Sequence, residues 1–421
     1  MKFLIKSATI VDPNSSFNGQ VKDILINDGQ IVQIESNINA PGAEVYDATG
    51  QFVSPGWMDM HVNFGDPGLE TKEDIYSGCK AAAAGGFTAV ALMPNTQPPL
   101  HSKAEIEYVK NRAKGQVVDV YPIGSLSVKR EGVDIAELFD MTQSGAVAFS
   151  DGNKPVQNAG LMMRSLQYAS AFNGLVISYA EDASIAEKAK VNEGITATYL
   201  GMKGIPNLAE ELMVARDIFL TEYTGGKVHF TTVSTAGSVE LIRAARKKGL
   251  KVTADVAAHH LVLDETVLTD FDSNYKVKPP LRTQNDIKAL KAGLKDGTID
   301  AVVSQHTPHE IEYKAQEFET AAYGICGLET AYALFNMGCE KILSIEEMVD
   351  ALAISPREIL GLEVPAIELN KKASITVFDP DHQWVLQESS ILSKSKNTPL
   401  IGKQLKGKAM AVVNNGQIVK L

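Results

Sequence analysis

Cysteine, positive charge and long apolar runs are scarce in this sequence of 421 residues. Its three cysteines show no C-x-x-C spacing, which argues against a disulfide framework and is typical of a reducing compartment. Forty Lys and Arg against 51 Asp and Glu give a net charge of −11, which disfavours nucleic acid and anionic membranes as partners. The longest apolar stretch, residues 81–93, is far shorter than the ~20 residues that span a bilayer, and the N-terminus lacks a signal-peptide pattern. The sequence therefore predicts a cytoplasmic protein with no nucleic-acid or membrane partner.

The two ends of the chain carry similar segments. Ile26–Ile34 and Val413–Leu421 each read as a strand, an Asn-Asp-Gly or Asn-Asn-Gly turn, and a second strand. These turn residues favour the positive φ angles of tight hairpins. We therefore expect both ends to build one small β domain, over residues 1–54 and 366–421.

Between these ends, over residues 55–365, the pattern alternates between β-rich runs and helical stretches. Eight such units in about 280 residues match a (β/α)8 barrel, which places the fold in the α/β class, with a doubly wound open sheet as the alternative. No G-x-G-x-x-G or G-x-x-x-x-G-K-[ST] motif follows a strand, which removes the usual dinucleotide and P-loop interpretations. The predicted strands end near His61, Leu92, Gly124, Ser150, Tyr179, Thr232, Val256 and Ser304.

The segment Asp59-Met-His-Val-Asn-Phe-Gly-Asp-Pro-Gly68 resembles the D-x-H-x-H and F-R-x-P-G motifs of the amidohydrolase superfamily, and of bacterial dihydroorotases in particular. The resemblance implies an amidohydrolase-type TIM barrel with a small β-sandwich. It also implies hydrolysis of a cyclic amide by a zinc-bound hydroxide, with a strand-8 aspartate moving the proton. Further matches run through the chain at Met93–Pro98, Ala148–Asp151, Ala180–Asp182, Val233–Thr235, His259–Leu261, Pro279–Arg282, Asp296–Asp300, His306–His309, Gly327–Thr330 and Asn397–Pro399.

The same resemblance implies six metal-binding or catalytic positions, of which four differ here. His61 and Asp151 are retained as metal ligands. The changed positions are Asn63, Tyr179 and Thr232 in place of histidine ligands, and Gln305 in place of the strand-8 aspartate. Catalytic zinc takes about three protein ligands from His, Asp, Glu or Cys, and a glutamine cannot accept a proton. We therefore expect that zinc is lost or weakly held, that no other cofactor is needed, and that Gln305 does not function in catalysis.

The substrate-binding positions implied by the resemblance are also altered. Gly65 replaces the arginine that would clamp the substrate carboxylate, and Lys278 replaces an asparagine, whereas Asn95 and His309 are retained. We expect Lys278 to be a weak substitute cation, because its long side chain is flexible.

Three other histidines need an interpretation. His306, together with His309, is an alternative source of ligands that could complete a metal site. His259 and His260 are adjacent, so on a strand they would point to opposite faces, and we expect a structural hydrogen-bonding pair.

The sequence thus favours a non-catalytic dihydroorotase homologue of pyrimidine biosynthesis. Its resemblance to non-catalytic siblings implies assembly with aspartate carbamoyltransferase, support of that enzyme's structure, and a homodimer. We expect the contact surface on outer barrel helices, such as Leu208–Leu220 and Ser238–Lys248. Two alternatives stay open: an active dihydroorotase or other cyclic amidohydrolase with an altered site, and a small-molecule binder that uses the emptied pocket.

Overall fold

The structure, a computed structural model, describes residues 2–421. Its strands are β1 (Lys2–Ile10), β2 (Val21–Asn27), β3 (Gln30–Glu35), β4 (Glu44–Asp47), β5 (Phe52–Pro55), β6 (Trp57–Val62), β7 (Phe87–Leu92), β8 (Asp119–Pro122), β9 (Val176–Ser178), β10 (Val191–Asn192), β11 (Gly204–Ile205), β12 (Val228–Phe230), β13 (Val252–Ala257), β14 (Ala301–Val303), β15 (Ile375–Val385), β16 (Gln404–Asn414) and β17 (Gln417–Lys420). Its α-helices are α1 (Ile75–Ala84), α2 (Lys103–Arg112), α3 (Leu138–Ser144), α4 (Ala159–Ser170), α5 (Ala183–Ala186), α6 (Ile195–Leu200), α7 (Leu208–Thr224), α8 (Ala236–Lys247), α9 (Gln284–Lys295), α10 (Ile311–Lys314), α11 (Ala331–Cys339), α12 (Ile345–Val349) and α13 (Ser355–Ile359). Within residues 2–421 no helix is long and apolar enough to cross a membrane.

A ring of parallel strands forms the barrel. Strands β6, β7 and β8 pair in order, as do β9, β12, β13 and β14. Single bridges join these two groups, since Phe149 pairs with both Gly124 and Val176 while His306 pairs with Val62. The eight positions confirm the (β/α)8 prediction; the fourth position is a single bridging residue at Phe149 instead of a full strand.

The barrel strands are buried on both faces, which explains why they read as continuous apolar runs. All six residues of β6 and all six of β7 are buried. The helices that cover them begin at well-defined caps: Asp74, Ser102 and Thr283 each form a capping box at the start of α1, α2 and α9. Small and apolar side chains, among them Met58 and Val303, fill the barrel interior. The interior is therefore packed, and open space is confined to the ends of the strands.

Both termini contribute to one β sheet. Strand order β17-β16-β15-β5-β1-β2-β3 places the C-terminal hairpin and the N-terminal hairpin in a single sheet. Asp28 and Gly29 in one turn, and Asn415 and Gly416 in the other, all have positive φ, as the turn residues predict. The tips of the two hairpins meet, because a Cβ on Gly29 would lie 3.3 Å from the Gly416 Cα. The β-sandwich built from both ends is confirmed, while the domain boundaries at 54/55 and 365/366 stay predictions.

Candidate functional site

The candidate site is a cavity of about 190 Å³ where the barrel strands end at their C-terminal edge. His61, Tyr179 and Gln305 line it, and they follow or end β6, β9 and β14. This is the edge at which barrel enzymes place their reactive groups. The remaining lining residues are Asn63, Asn95, Asn153, Lys278, Thr307, Tyr323 and Gly324.

The retained His61 is a buried, neutral side chain with a protein partner. Its Nδ1 lies 2.8 Å from the Thr231 hydroxyl, and burial lowers the pKa of His61 to about 4. Its backbone amide donates to Asp59 Oδ1 at 2.9 Å, while Asp59 Oδ2 accepts from the Ser304 amide at 2.9 Å. Burial raises the pKa of Asp59 to about 6. These bonds fix the end of β6 against β14 and set the direction of the imidazole.

Asn63 belongs to an amide network at the cavity wall. Its Nδ2 donates to the carbonyl of His306 and to the hydroxyl of Thr307, both at 3.0 Å. Its Oδ1 accepts from Asn95 Nδ2 at 2.5 Å, whereas Asn95 Oδ1 is buried without a hydrogen-bond partner among residues 2–421. Asn63 thus serves as a structural link between two loops.

The second retained ligand position, Asp151, is hydrogen-bonded to Ser127. Asp151 Oδ1 accepts from the Ser127 amide at 2.9 Å, and Oδ2 accepts from the Ser127 hydroxyl at 2.5 Å. Arg130 Nε donates to the Asp151 carbonyl at 2.8 Å. Burial raises the pKa of Asp151 despite these bonds. Both carboxylate oxygens are therefore occupied, and Asp151 is not among the residues that line the cavity.

Backbone strain occurs at two of the changed positions. Thr232 and Gln305 adopt φ of 56° and 51°, a left-handed conformation that is costly for any residue with a side chain and most of all for β-branched threonine. Asp255 Oδ1 stabilises the backbone at Thr232, because it accepts a hydrogen bond from the Thr232 amide at 2.6 Å. At the other position, Gln305 Nε2 donates to the Lys278 carbonyl at 2.9 Å. The loops thus keep a strained backbone while carrying neutral side chains.

The phenol of Tyr179 and the ammonium group of Lys278 are each held in one state by their surroundings. Burial is the main cause that holds the pKa of Tyr179 well above its usual range, so the phenol stays protonated. Lys278 Nζ lies 2.7 Å from Glu181 Oε1. The expectation of a flexible Lys278 side chain is therefore wrong, because the nearly buried Glu181 fixes the ammonium group.

The loop at Gly65 has no room for the arginine that the family resemblance would place there. A Cβ on Gly65 would lie 2.1 Å from the Leu69 carbonyl oxygen. The Leu69 amide donates to the Gly65 carbonyl at 2.6 Å, which closes a tight turn. The position of the missing arginine is thus a tight turn that leaves no space for a side chain.

The histidines considered as alternative ligands have other partners. His309 Nε2 lies 2.9 Å from the Tyr323 carbonyl oxygen, and its Nδ1 lies 3.4 Å from Lys72 Nζ. His306 Nε2 lies 3.5 Å from Glu73 Oε2, and both side chains are buried. Neither histidine is therefore directed toward His61 and Asp151 as a completed metal site would need.

The expected arrangement of His259 and His260 is also wrong. The two residues lie in a 3-10 turn, Ala258–Leu261, instead of a strand, and their ring centroids are 4.5 Å apart. His260 Nε2 lies 3.2 Å from the Pro279 carbonyl. A turn brings the two rings together where a strand would have separated them. His259 Nε2 and His260 Nδ1 are buried without a hydrogen-bond partner among residues 2–421, so the expected hydrogen-bonding pair is not formed through these atoms.

Sequence reasoning missed several residues that position the site. Thr231, Ser127 and Glu181 are the partners of His61, Asp151 and Lys278, and none is next to its partner in sequence. The sequence around a polar residue does not indicate which strand its side chain will contact in the folded barrel. Only the neighbouring matches at Ala148–Asp151 and Ala180–Asp182 indicated that these loops reach the site.

The residues present do not fit a zinc site. His61 lines the cavity, whereas Asp151, the other retained ligand position, does not line it and accepts from Ser127 with both oxygens. The other positions offer an amide, a phenol and a hydroxyl, which are poor ligands for zinc. Within residues 2–421, no three His, Cys, Asp or Glu side chains are grouped so that they could hold a metal ion.

The fold is a (β/α)8 barrel with a polar cavity at its mouth and a β-sandwich built from both termini. Solved structures share it: the L-hydantoinase (dihydropyrimidinase) of Arthrobacter aurescens has a TM-score of 0.87 at 24% identity, with 99% of this chain and 96% of that chain covered. The dihydropyrimidinase of Brevibacillus agri has a TM-score of 0.83 at 24% identity, with 100% and 95% covered.

Sequence comparison then narrows the assignment. A family model described as Dihydro-orotase-like matches residues 50–238. A protein named Dihydroorotase from Pelotomaculum thermopropionicum is 44% identical over 421 residues, covering 100% of this chain and 98% of its own length. One of the same name from Geobacter metallireducens is 43% identical, covering 100% and 99%. The chain belongs to the dihydroorotase family.

Proposed function

We propose that this chain is a dihydroorotase-family protein of pyrimidine biosynthesis that no longer performs metal-dependent hydrolysis at its barrel mouth. The observation that carries the proposal is Gln305. It stands at the end of β14, where the resemblance implies the proton-transferring aspartate, and its amide donates to the Lys278 carbonyl. A carboxamide has no proton-accepting role at neutral pH, so this position cannot serve as the general base.

The donor set at the cavity supports the same conclusion. His61 and Asp151 are the retained ligands, and their bonds to Thr231 and Ser127 direct them to different partners. Of these two positions only His61 lines the cavity, while Asp151 accepts hydrogen bonds from Ser127 with both carboxylate oxygens.

Dihydroorotase activity is the second candidate function, and the comparisons favour it. Relatives that are 41–44% identical over the full length carry the name Dihydroorotase. If the chain interconverts dihydroorotate and N-carbamoyl-aspartate, it does so with a donor set unlike the one the resemblance implies. A direct measurement separates the two candidates.

That measurement is metal content and turnover, on the parent chain and on a restored variant. The parent, dialysed against zinc, should hold well under one equivalent per chain and show no dihydroorotate turnover. The combined variant Asn63→His, Tyr179→His, Thr232→His and Gln305→Asp should raise zinc content, whereas single changes should do little because the ligands act as a unit. Two tightly bound ions per parent chain, or parent turnover that a chelator abolishes, would establish the second candidate instead.

We propose further that the protein acts through its outer surface, by supporting aspartate carbamoyltransferase, and that it forms a homodimer. An exposed apolar stripe on α7 supports a protein contact there. Leu208, Leu212, Phe219 and Tyr223 are 46–75% exposed and recur at helical spacing on one side of α7. Exposed apolar groups arranged this way are typical of protein interfaces.

The partner proposal is tested by pull-down from native lysate and by sedimentation with purified carbamoyltransferase. Phe219→Lys with Tyr223→Lys should abolish the association. His61→Ala with Asp151→Ala should leave it intact, because the cavity lies at the strand ends and not on the outer wall. A chain that sediments alone in both experiments would exclude the supporting role.

A further inference from the structure

Two adjoining cavities lie at the N-terminal end of the barrel strands, opposite to the mouth that carries the candidate site. The smaller has a volume of about 150 Å³ and the larger about 620 Å³, and both are lined by Asp119 and Tyr121 of β8. Asn414, from strand β16 of the terminal sheet, also lines the smaller cavity. The two cavities form one cleft between the barrel and the terminal sheet, here called the basal cleft. Ligand sites occur preferentially at such boundaries between domains.

Positive charge is concentrated in the basal cleft. Its walls carry five cationic side chains, which are Arg357, Lys371 and Lys372 in the smaller cavity and Lys110 and Lys114 in the larger. Its two carboxylates are Asp119 and Glu363. The cleft therefore has an excess of three positive charges, whereas the whole chain has a net charge of −11. A concave surface lined by one sign of charge attracts ligands of the opposite sign, here anions.

Arg357, on α13, supplies a buried cation without a carboxylate partner. Its side chain is 5% exposed, and the ion pairs that arginines form within residues 2–421 do not include it. Nη1 donates to the carbonyls of Gly56 and Ala353 at 2.5 and 2.7 Å, and Nη2 donates to the Thr88 hydroxyl at 3.2 Å. All three acceptors are neutral. Since a guanidinium has five N–H groups, one on Nε and one on Nη2 remain for a ligand.

The two carboxylates of the basal cleft do not pair with its cations. Asp119 Oδ1 accepts from the Asn415 side-chain amide at 2.9 Å, and Oδ2 accepts from the Asn414 side-chain amide at 3.0 Å. Glu363 is exposed. The lysines of the cleft are also exposed, and none of them takes part in the lysine ion pairs of residues 2–421. The excess charge is therefore available to a bound anion.

We propose that the basal cleft binds a phosphoryl group, with Arg357 as its buried anchor and Lys371 and Lys372 at its entrance. Phosphate matches three cations in a small cavity better than a carboxylate does, because it carries up to two charges and at least three acceptor oxygens. A guanidinium binds such oxygens through parallel N–H bonds, and ammonium groups add charge. The larger cavity, with the phenol ring of Tyr121 in its wall, leaves room for the organic part of a phosphate ester. The site lies apart from the barrel mouth, so the inference does not depend on whether the mouth hydrolyses a substrate.

The test is calorimetric titration of the full chain with inorganic phosphate and with phenyl phosphate at neutral pH. Phenyl phosphate binding at least about tenfold more tightly than phosphate would assign a phosphate ester as the ligand, and equal or weaker binding would assign the free ion. No binding of either compound at millimolar concentration would overturn the proposal.

Two double variants test the location. Lys371→Gln with Lys372→Gln should weaken phosphate binding about tenfold, because two of the three cations around the anion are removed. Lys247→Gln with Lys248→Gln is the matched control, since these adjacent lysines are exposed on the outer wall and the change in net charge is the same. The control should bind phosphate like the parent. An equal effect in both variants, or no effect in the first, would overturn the assigned site. The exposed lysines carry this test because Arg357 also holds the backbone at Gly56, so that a variant there could unfold.

A chemical readout places the ligand directly. Bound phosphate should slow the acetylation of Lys371 and Lys372 by acetic anhydride at least about fivefold, as measured by mass spectrometry of the digested chain. Lys403 is exposed and does not line the cleft, so its acetylation should be unchanged. Phosphate that binds without protecting Lys371 and Lys372 would show that the anion lies elsewhere and would overturn the proposal.

Discussion

Gly65 gives the sharpest test of whether the substrate end of the site has been rebuilt. In Gly65→Arg, the new Cβ would lie 2.1 Å from the Leu69 carbonyl oxygen and 2.9 Å from the Leu69 Cβ. Because the nearest atom belongs to the backbone, no side-chain rotation relieves the contact. The turn must open, and the 2.6 Å hydrogen bond from the Leu69 amide to the Gly65 carbonyl is lost with it.

The magnitude follows from these two contacts. Overpacking against fixed atoms costs ~1–3 kcal/mol, and a lost backbone hydrogen bond costs about 1 kcal/mol. We therefore expect Gly65→Arg to lower the free energy of unfolding by about 3 kcal/mol and to give no dihydroorotate turnover. Gly65→Ala should lose nearly as much, because the cost is steric and arises at the first side-chain atom.

Urea unfolding followed by tryptophan fluorescence measures this loss, since Trp57 is fully buried beside Phe87. Gly194→Ala is the matched control, because a Cβ there would meet Glu265 Oε1 at 3.4 Å, an ordinary contact. It should change the unfolding free energy by less than ~0.5 kcal/mol. A Gly65→Arg protein as stable as the parent would refute the reasoning.

Two further predictions concern buried cations and bases. Burial lowers the pKa of His260 and of His309 to about 4, whereas a histidine in the unfolded chain has a pKa of ~6.5. As the pH falls from about 6.5 to 4, the unfolded state therefore binds protons before the folded state does. The free energy of unfolding decreases over this range, because the contribution of these neutral histidines to stability is lost. His260→Gln should flatten the dependence of the urea midpoint on pH in that range, and an unaltered profile would contradict the assignment. Lys276 Nζ donates to three backbone carbonyls within residues 318–321. Lys314 Nζ donates to the backbone carbonyls of Ser273, Ala322 and Gly324. Lys314→Met should therefore leave buried carbonyls unpaired and speed amide exchange in the segment 311–324. Lys154→Met, at an exposed position, should leave exchange there unchanged.

Local patterns in the sequence predicted the fold to a useful depth. Continuous apolar runs placed the barrel strands, because strands buried on both faces need no polar alternation. The Asx-Gly turns predicted both terminal hairpins, since positive φ is a local requirement that few residues meet. The residue types at the site positions were also local information. Asn63 stands where the family resemblance implies a histidine ligand, and Gln305 stands where it implies a proton-transferring aspartate; a carboxamide does not have the chemistry of either group, whatever the direction of the side chain.

What a side chain contacts across the barrel was decided only by tertiary structure. His61 meets Thr231, which is 170 residues away, and Lys278 meets Glu181 from another strand end. Hydrogen bonds and ion pairs form between whichever groups the ring of strands brings within about 3 Å, and sequence separation does not limit them. The sequence by itself determined which residue types stand at the positions that the family resemblance marks as metal-binding or catalytic. The packing determined what those residues contact, because only the closed ring of strands brings Lys278 within 2.7 Å of Glu181.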